Sequence, residues 1–186
     1  MSRWADQKIS IAFIKMLGTQ SADDITVISV CEKAGVNRQS FYYHFKDMGE
    51  LIRYIITDKL DKYIPKDNIY KRWSEQLENV LTYSQKHKKR ILNIYNSSYE
   101  AVFLDILREH AEYLMEAAVD QYLKETDTEI DEEERIFLVK VCSMTFTGIY
   151  QRYVEKDLID DPAKVSAWCA KVFKGSLKFI IEKSKE

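Results

Sequence analysis

The chain has 186 residues, 46% hydrophobic and 31% charged, with a formal net charge of −2. That is enough apolar surface for a packed core in one large domain or two small ones. A nearly neutral chain excludes polyanion or membrane binding by bulk charge, so any such affinity must come from a local patch.

With 5 Gly and 2 Pro, turns are scarce and long helices are favoured. Ile9, Ala12, Phe13, Met16 and Leu17 recur at three- and four-residue steps, the signature of an amphipathic helix that ends near Gly18. Thr26 stands where an N-cap belongs, ahead of a second helix carrying Val27, Val30, Cys31 and Ala34. Gly35 breaks that helix, and Asn37 caps a short third one. Asp47 and Glu50 read as a capping-box variant opening a fourth helix through Leu51 and Ile55. That helix stops around Pro65, and IPKDN is the expected linker. Trp73, Leu77, Val80 and Leu81 mark a fifth helix. The basic knot QKHKKR then reads as a solvated helix start before Ile91, Leu92 and Tyr95. A long stripe follows from Tyr99 to Ala118, then the acidic loop KETDTEIDEEE. Two helices, about 132–155 and 162–183, close the chain. No alternating strand pattern or internal repeat interrupts this all-α order.

The stretch Ala34–Asp47, AGVNRQSFYYHFKD, is the most informative. A helix, a glycine turn and a short capped helix, braced by the first helix, make a helix-turn-helix. Phe41 and Phe45, four apart, face inward with Val36, which leaves Arg38, Gln39, Tyr42 and Tyr43 on outer faces. Between Asn37 and Lys46 there is no acid. Arg donates in pairs to guanine, and Gln or Asn pairs with the adenine edge. The hydroxyls and cations of Thr26, Ser40, Tyr42, Tyr43, His44 and Lys46 suit phosphate oxygens.

At these residues a resemblance is specific. Ile25–Ile52, ITVISVCEKAGVNRQSFYYHFKDMGELI, resembles the DNA-binding domain of the TetR (tetracycline-repressor) family of transcriptional regulators. The likeness lies in Ile25-Thr26, the Ala34-Gly35-Val36 turn, the Phe41–Phe45 run and Glu50-Leu51. It implies that Thr26 and Tyr42 touch phosphates while Arg38 and Gln39 approach base edges. Met48-Gly49 stands where the family often has Lys-Glu, leaving Lys46 or a helix N-terminus to make that lysine's contact. The expected division is a three-helix DNA-binding module over residues 1–48 and a larger helical bundle over 49–186 that dimerises and binds an effector.

The last helices point to a dimer on physical grounds. From Ile136 to Val154 apolar residues fall on nearly every side, and a helix apolar all round is buried all round. One face then serves the chain's own core and another a second copy, with Thr147, Tyr150, Val165, Trp168, Val172 and Ile180 as the expected contacts. A two-fold pair of reading helices calls for a pseudo-palindromic double-stranded operator. Family members commonly release DNA when a small molecule enters the bundle. The candidate lining is Tyr83, Tyr95, Tyr99, Phe103, His110, Tyr113, Met144 and Tyr150, where aromatic or polar groups interrupt apolar stripes. The expectation is a repressor released by such an effector. The alternative is a regulator controlled by a protein partner docking on the bundle.

His44, His87 and His110 are dispersed, and no CxxC, HExxH, GxGxxG, P-loop or nucleophile elbow occurs, so neither an enzyme nor a metal or cofactor site is expected. Cys31, Cys142 and Cys169, odd in number and set in apolar runs, read as free thiols of a reducing compartment. The opening MSRWADQKIS lacks a signal-peptide core, and IFLVKVCSMTFTGIY holds a lysine and is too short for a bilayer. A cytoplasmic location is expected.

Overall fold

A computed structural model describes residues 3–64, 69–173 and 175 of the chain. Of the expected linker only Ile64 falls among them, and Ile180 with the rest of the chain end lies outside the described residues. The helices in order are α1 (Arg3–Met16), α2 (Val27–Ala34), α3 (Arg38–His44), α4 (Met48–Tyr63), α5 (Ile69–Lys86), α6 (Lys88–Tyr95), α7 (Glu100–Thr126), α8 (Glu132–Glu155) and α9 (Pro162–Phe173), with a 3₁₀ turn at Ala22–Asp24. No strand occurs among the described residues.

Two compact units emerge. The first comprises the chain up to Lys59 together with His87–Ile106; the second comprises Leu60–Lys86 and the chain from Leu107 on.

In the first unit, α1 packs against α2 and α3. Ile9, Phe13, Val30, Phe41, Leu51 and Ile52 are completely buried between them and α4. α6 joins this unit by hydrogen bonds that no local rule foretells. The Asn93 amide donates to the Leu17 carbonyl at the end of α1 (2.8 Å), and the Ser98 N–H donates to the Asp23 carboxylate (3.1 Å). Met48, set where the family often has lysine, is buried in this core. Its neighbour Gly49 leaves room for the loop and α7: a Cβ there would stand 3.2 Å from Asp47 Oδ1 and 4.0 Å from Val102.

In the second unit α5 lies along α9, and the Ser166 hydroxyl donates to Glu78 across them (3.1 Å). Val119, Tyr122, Leu138 and Val139 form one apolar cluster between α7 and α8. Ile64, Ile69, Leu114 and Ala118 form another. The guanidinium of Arg135 donates to both Asp120 oxygens (2.8 and 2.9 Å), tying the start of α8 to α7. Between α8 and α9, Asp157 (φ 56°) and Leu158 (φ 54°) both take the left-handed conformation that side chains disfavour. The Gln85 amide donates to the carbonyls of Leu158 (3.1 Å) and Asp160 (3.2 Å) and holds that corner. Leu158 itself is buried at 1% exposure, so packing offsets the strain.

Candidate nucleic-acid interface and bundle cavity

The geometry of α3 is set by its caps. Thr26 opens α2 with a reciprocal box: the Ser29 N–H donates to the Thr26 hydroxyl (3.2 Å), and the Thr26 N–H donates to Ser29 Oγ (3.0 Å). α2 ends at Gly35, whose φ of 66° and ψ of 38° is the left-handed region, and the Val36 N–H returns to the Cys31 carbonyl (3.0 Å). Asn37 Oδ1 then accepts from the Ser40 N–H (2.8 Å) and starts α3. At its far end the Glu50 N–H donates to Asp47 Oδ1 (2.9 Å), while the Glu50 carboxylate accepts from the Lys46 N–H.

Between these caps the helix is two-sided. Phe41 (0% exposed) and Phe45 (3%) are inside, as their spacing predicts. Thr26, Asn37, Arg38, Gln39, Tyr42, Tyr43 and Lys46 are exposed, and Ser40 and His44 are half-buried. Tyr42 at 58% and Tyr43 at 76% are unusually open for tyrosines. Each has an aromatic neighbour: Tyr42 meets the edge of Phe41 (5.5 Å) and Tyr43 that of His44 (5.1 Å), which limits ring motion without covering the hydroxyls. Cys31 lies beneath, and burial pushes its thiol up against the smaller opposing pull of Arg38. A buried, protonated thiol is a poor nucleophile; Cys142 and Cys169 are raised by burial as well.

The second unit holds a cavity of about 90 Å³ lined by Leu60, Ile64, Trp73, Gln76, Leu77, Val80, Leu107, His110, Ala111, Leu114, Met115, Phe146, Thr147 and Tyr150. Trp73 and Phe146 meet on its wall at a tilt of 59°, with centroids 5.3 Å apart. The Tyr150 hydroxyl lies 2.8 Å from Ser84 Oγ, and burial drives its ionisation far upward, so it stays a neutral phenol. Sequence reasoning named two of these lining residues, His110 and Tyr150. The other expected positions lie elsewhere. Tyr95 and Phe103 pack on each other in the first unit (6.3 Å), and Tyr99 belongs to the same unit. Tyr83 is half-buried outside the lining, and Tyr113 and Met144 are 48% and 65% exposed. The missed wall is mostly ordinary core residues; its sequence signals are Gln76 and Thr147, polar groups at core positions.

The expected dimer contacts divide. Trp168 (61%) and Val172 (73%) are open on α9, and Val165 and Thr147 are half-buried. Tyr150, at 6% exposure, is turned into its own chain and has no outer surface to offer. In its place α8 exposes Phe137 (69%), Val141 (42%) and Met144 (65%) opposite its core face, and Gly148, beside which a Cβ would meet nothing within 4 Å.

A helix-turn-helix module with a capped, outward-facing third helix, joined to a helical bundle, defines a regulator of transcription. Residues 71–175 match the family described as transcriptional regulator C-terminal region, of TetR type, and the chain belongs to the TetR family. It is similar to the HTH-type dhaKLM operon transcriptional activator DhaS of Lactococcus lactis, 22% identical over 148 residues, 76% of this chain and 77% of that one. A solved structure, dihydroxyacetone kinase operon activator DhaS, superposes with a TM-score of 0.72 at 18% identity, covering 94% of this chain and 97% of the other. Among the described residues no helix is long and apolar enough to cross a membrane.

Proposed function

We propose that two copies of this chain bind a pseudo-palindromic DNA operator, each presenting α3 to the major groove. Residues 1–48 form the DNA-binding domain in this reading, and 49–186 the dimerisation and effector domain. The observation that carries it is α3 itself: two phenylalanines are sunk in the core while Arg38, Gln39, Tyr42 and Tyr43 stand in water with no acid among them. Arg38 and Gln39 read base edges. Thr26, Asn37, Ser40, Tyr42, Tyr43, His44 and Lys46 hold phosphates or flank the groove. The apolar stripes of α8 (Phe137, Val141, Met144) and α9 (Val165, Trp168, Val172) supply the surface for a second copy.

The similar proteins are both named as operon activators, which supports activation in place of the repression implied by the family's name. The cavity, about 90 Å³, is well below the roughly 300–1,000 Å³ of sites for drug-sized ligands. Its size supports control through a protein partner over release by a large effector.

Selection of bound duplexes from a random library, followed by binding titrations, tests the reading. Arg38→Ala weakens specific binding by about 1–3 kcal/mol and relaxes preference at one base pair per half-site. Lys46→Ala weakens binding to all duplexes and lowers the salt slope by about one. Unchanged affinity in both variants defeats the assignment of α3.

A further inference from the structure

Two acids bracket the helix-turn-helix, and both face one short connection, the residues between α6 and α7. Asp23 lies in the 3₁₀ turn ahead of Thr26, and Asp47 lies between α3 and α4. The Asp23 carboxylate accepts from the Ser98 N–H with both oxygens (3.1 Å each) and from the Ser98 hydroxyl as well. Next in line, Tyr99 is half-buried. Burial pushes its phenol up, and the charges of Asp23 and Asp47 add to that push, so the ring stands within electrostatic reach of both acids. All of these residues belong to the first unit.

The connection is itself stiff. The Ser97 hydroxyl donates to the Ile94 carbonyl (2.6 Å) and accepts from the Tyr99 N–H (3.2 Å). The Glu100 N–H then returns to the Ser97 carbonyl (3.1 Å) as α7 begins. On the other side, the segment joining α1 to α2 is gripped twice. Asn93 holds the Leu17 carbonyl at its start, and Ser98 holds Asp23 near its end. Ala22 and Ile25 are buried on either side of that second grip. The approach of the chain to α2 is therefore fixed against α6 and the first turn of α7.

Charge shows that Asp23 has a task of its own. A carboxylate close to a phosphate-binding residue opposes DNA. Asp23 and Asp24 both stand exposed just before Thr26. Among the described residues the Asp24 carboxylate has no hydrogen-bond or ion-pair partner, whereas Asp23 collects three bonds from one serine. We propose that Asp23 is a positioning residue of the DNA-binding module. Held by Ser98, it fixes α2, and with it α3, against the start of α7, so that the two copies of a dimer present α3 at a single half-site spacing. Without the clasp each module samples further orientations. Binding then falls by the fraction that stays competent, once for each module. The inference rests on the reading of the chain as a dimer on a two-fold operator.

The test is competition binding of the full chain, per folded dimer, to the selected operator and to copies with one base pair added or removed between the half-sites. Asp23→Ala is expected to lose about tenfold on the selected operator, from a roughly threefold drop in competent fraction in each of two modules. Removal of an acid by charge alone would raise affinity. Asp24→Ala removes the same charge one residue away and binds at least as tightly as the parent. Ser98→Ala keeps the Asp23 charge, removes one donor, and loses about threefold. The parent discriminates against altered spacing by about tenfold, and Asp23→Ala by less than about threefold. A spacing ratio in Asp23→Ala equal to that of the parent overturns the proposal, since a merely structural contact lowers the thermal midpoint and leaves that ratio alone. So does Asp23→Ala binding as tightly as Asp24→Ala. Failure of the unaltered chain to select any two-fold duplex defeats the DNA reading instead, and it shows before a variant is made.

Discussion

Removing the Tyr150 hydroxyl, in Tyr150→Phe, tests whether the bundle is held by a buried polar pair or by apolar packing alone. Tyr150 is 6% exposed and Ser84 2%, and their oxygens are 2.8 Å apart. The bond itself contributes about 1 kcal/mol net, and the Ser84 hydroxyl left buried without it costs roughly 1–3 kcal/mol. Tyr150→Phe is therefore expected to lose about 2 kcal/mol, and Ser84→Ala about 1 kcal/mol, the bond alone. The double variant leaves no Ser84 hydroxyl stranded, so its loss is about 1 kcal/mol and the coupling about 2 kcal/mol. Urea unfolding at one fixed protein concentration reads this, because association shifts apparent stability. With a slope of about 2 kcal/mol per molar, Tyr150→Phe moves the midpoint by about 1 M and Ser84→Ala by about 0.5 M. Losses that simply add in the double variant refute the pair as a coupled unit.

Gly35→Val is expected to cost about 1–2 kcal/mol, purely from the left-handed backbone, since a Cβ there meets nothing within 4 Å. Gly35→Asn costs about half as much, and equal thermal midpoints for the two variants count against strain as the cause. Met144→Glu with Trp168→Glu is expected to sediment as a monomer and to lose about 100-fold in operator affinity, because two half-sites are no longer joined. Persistence of the dimer in that variant removes the exposed α8 and α9 stripes from the interface.

What was legible in the sequence was what is local. Thr26, Gly35 and Asn37 announce their caps because each acts on residues within four positions, and Phe41 and Phe45 announce the inner face of α3 by spacing alone. Cap and turn chemistry thus predicted nearly all of the geometry of α3. The cavity was not legible in the same way. Its wall is made where the end of α4 meets α5, α7 and α8, so Leu60, Val80 and Leu114 line it while carrying no mark that separates them from other core positions. Seeking interrupted aromatic stripes found tyrosines, but an aromatic ring is large enough to be buried anywhere or exposed, as Tyr95 and Tyr113 show. The two faces of α8 were half legible: a helix apolar all round pointed to an inner and an outer apolar surface, yet not to which residues lay on which. Tyr150 went inward because Ser84 gives its hydroxyl a partner there. The links from Asn93 to Leu17 and from Ser98 to Asp23 span more than seventy residues, and no periodicity encodes them.

The corner between α8 and α9 has a consequence for how the chain tolerates change. Asp157 and Leu158 hold a conformation costly to both, and Gln85 grips the carbonyls of Leu158 and Asp160. A residue added or deleted there slides Leu158 out of its socket and releases Gln85 at once, so length drift at this bend is disfavoured. The bend between α7 and α8 is pinned in a like manner, with Asp127 left-handed (φ 48°), the Thr128 N–H on the Leu123 carbonyl (3.0 Å) and Ile130 packed on the apolar cluster, so both turns of the bundle resist drift in length.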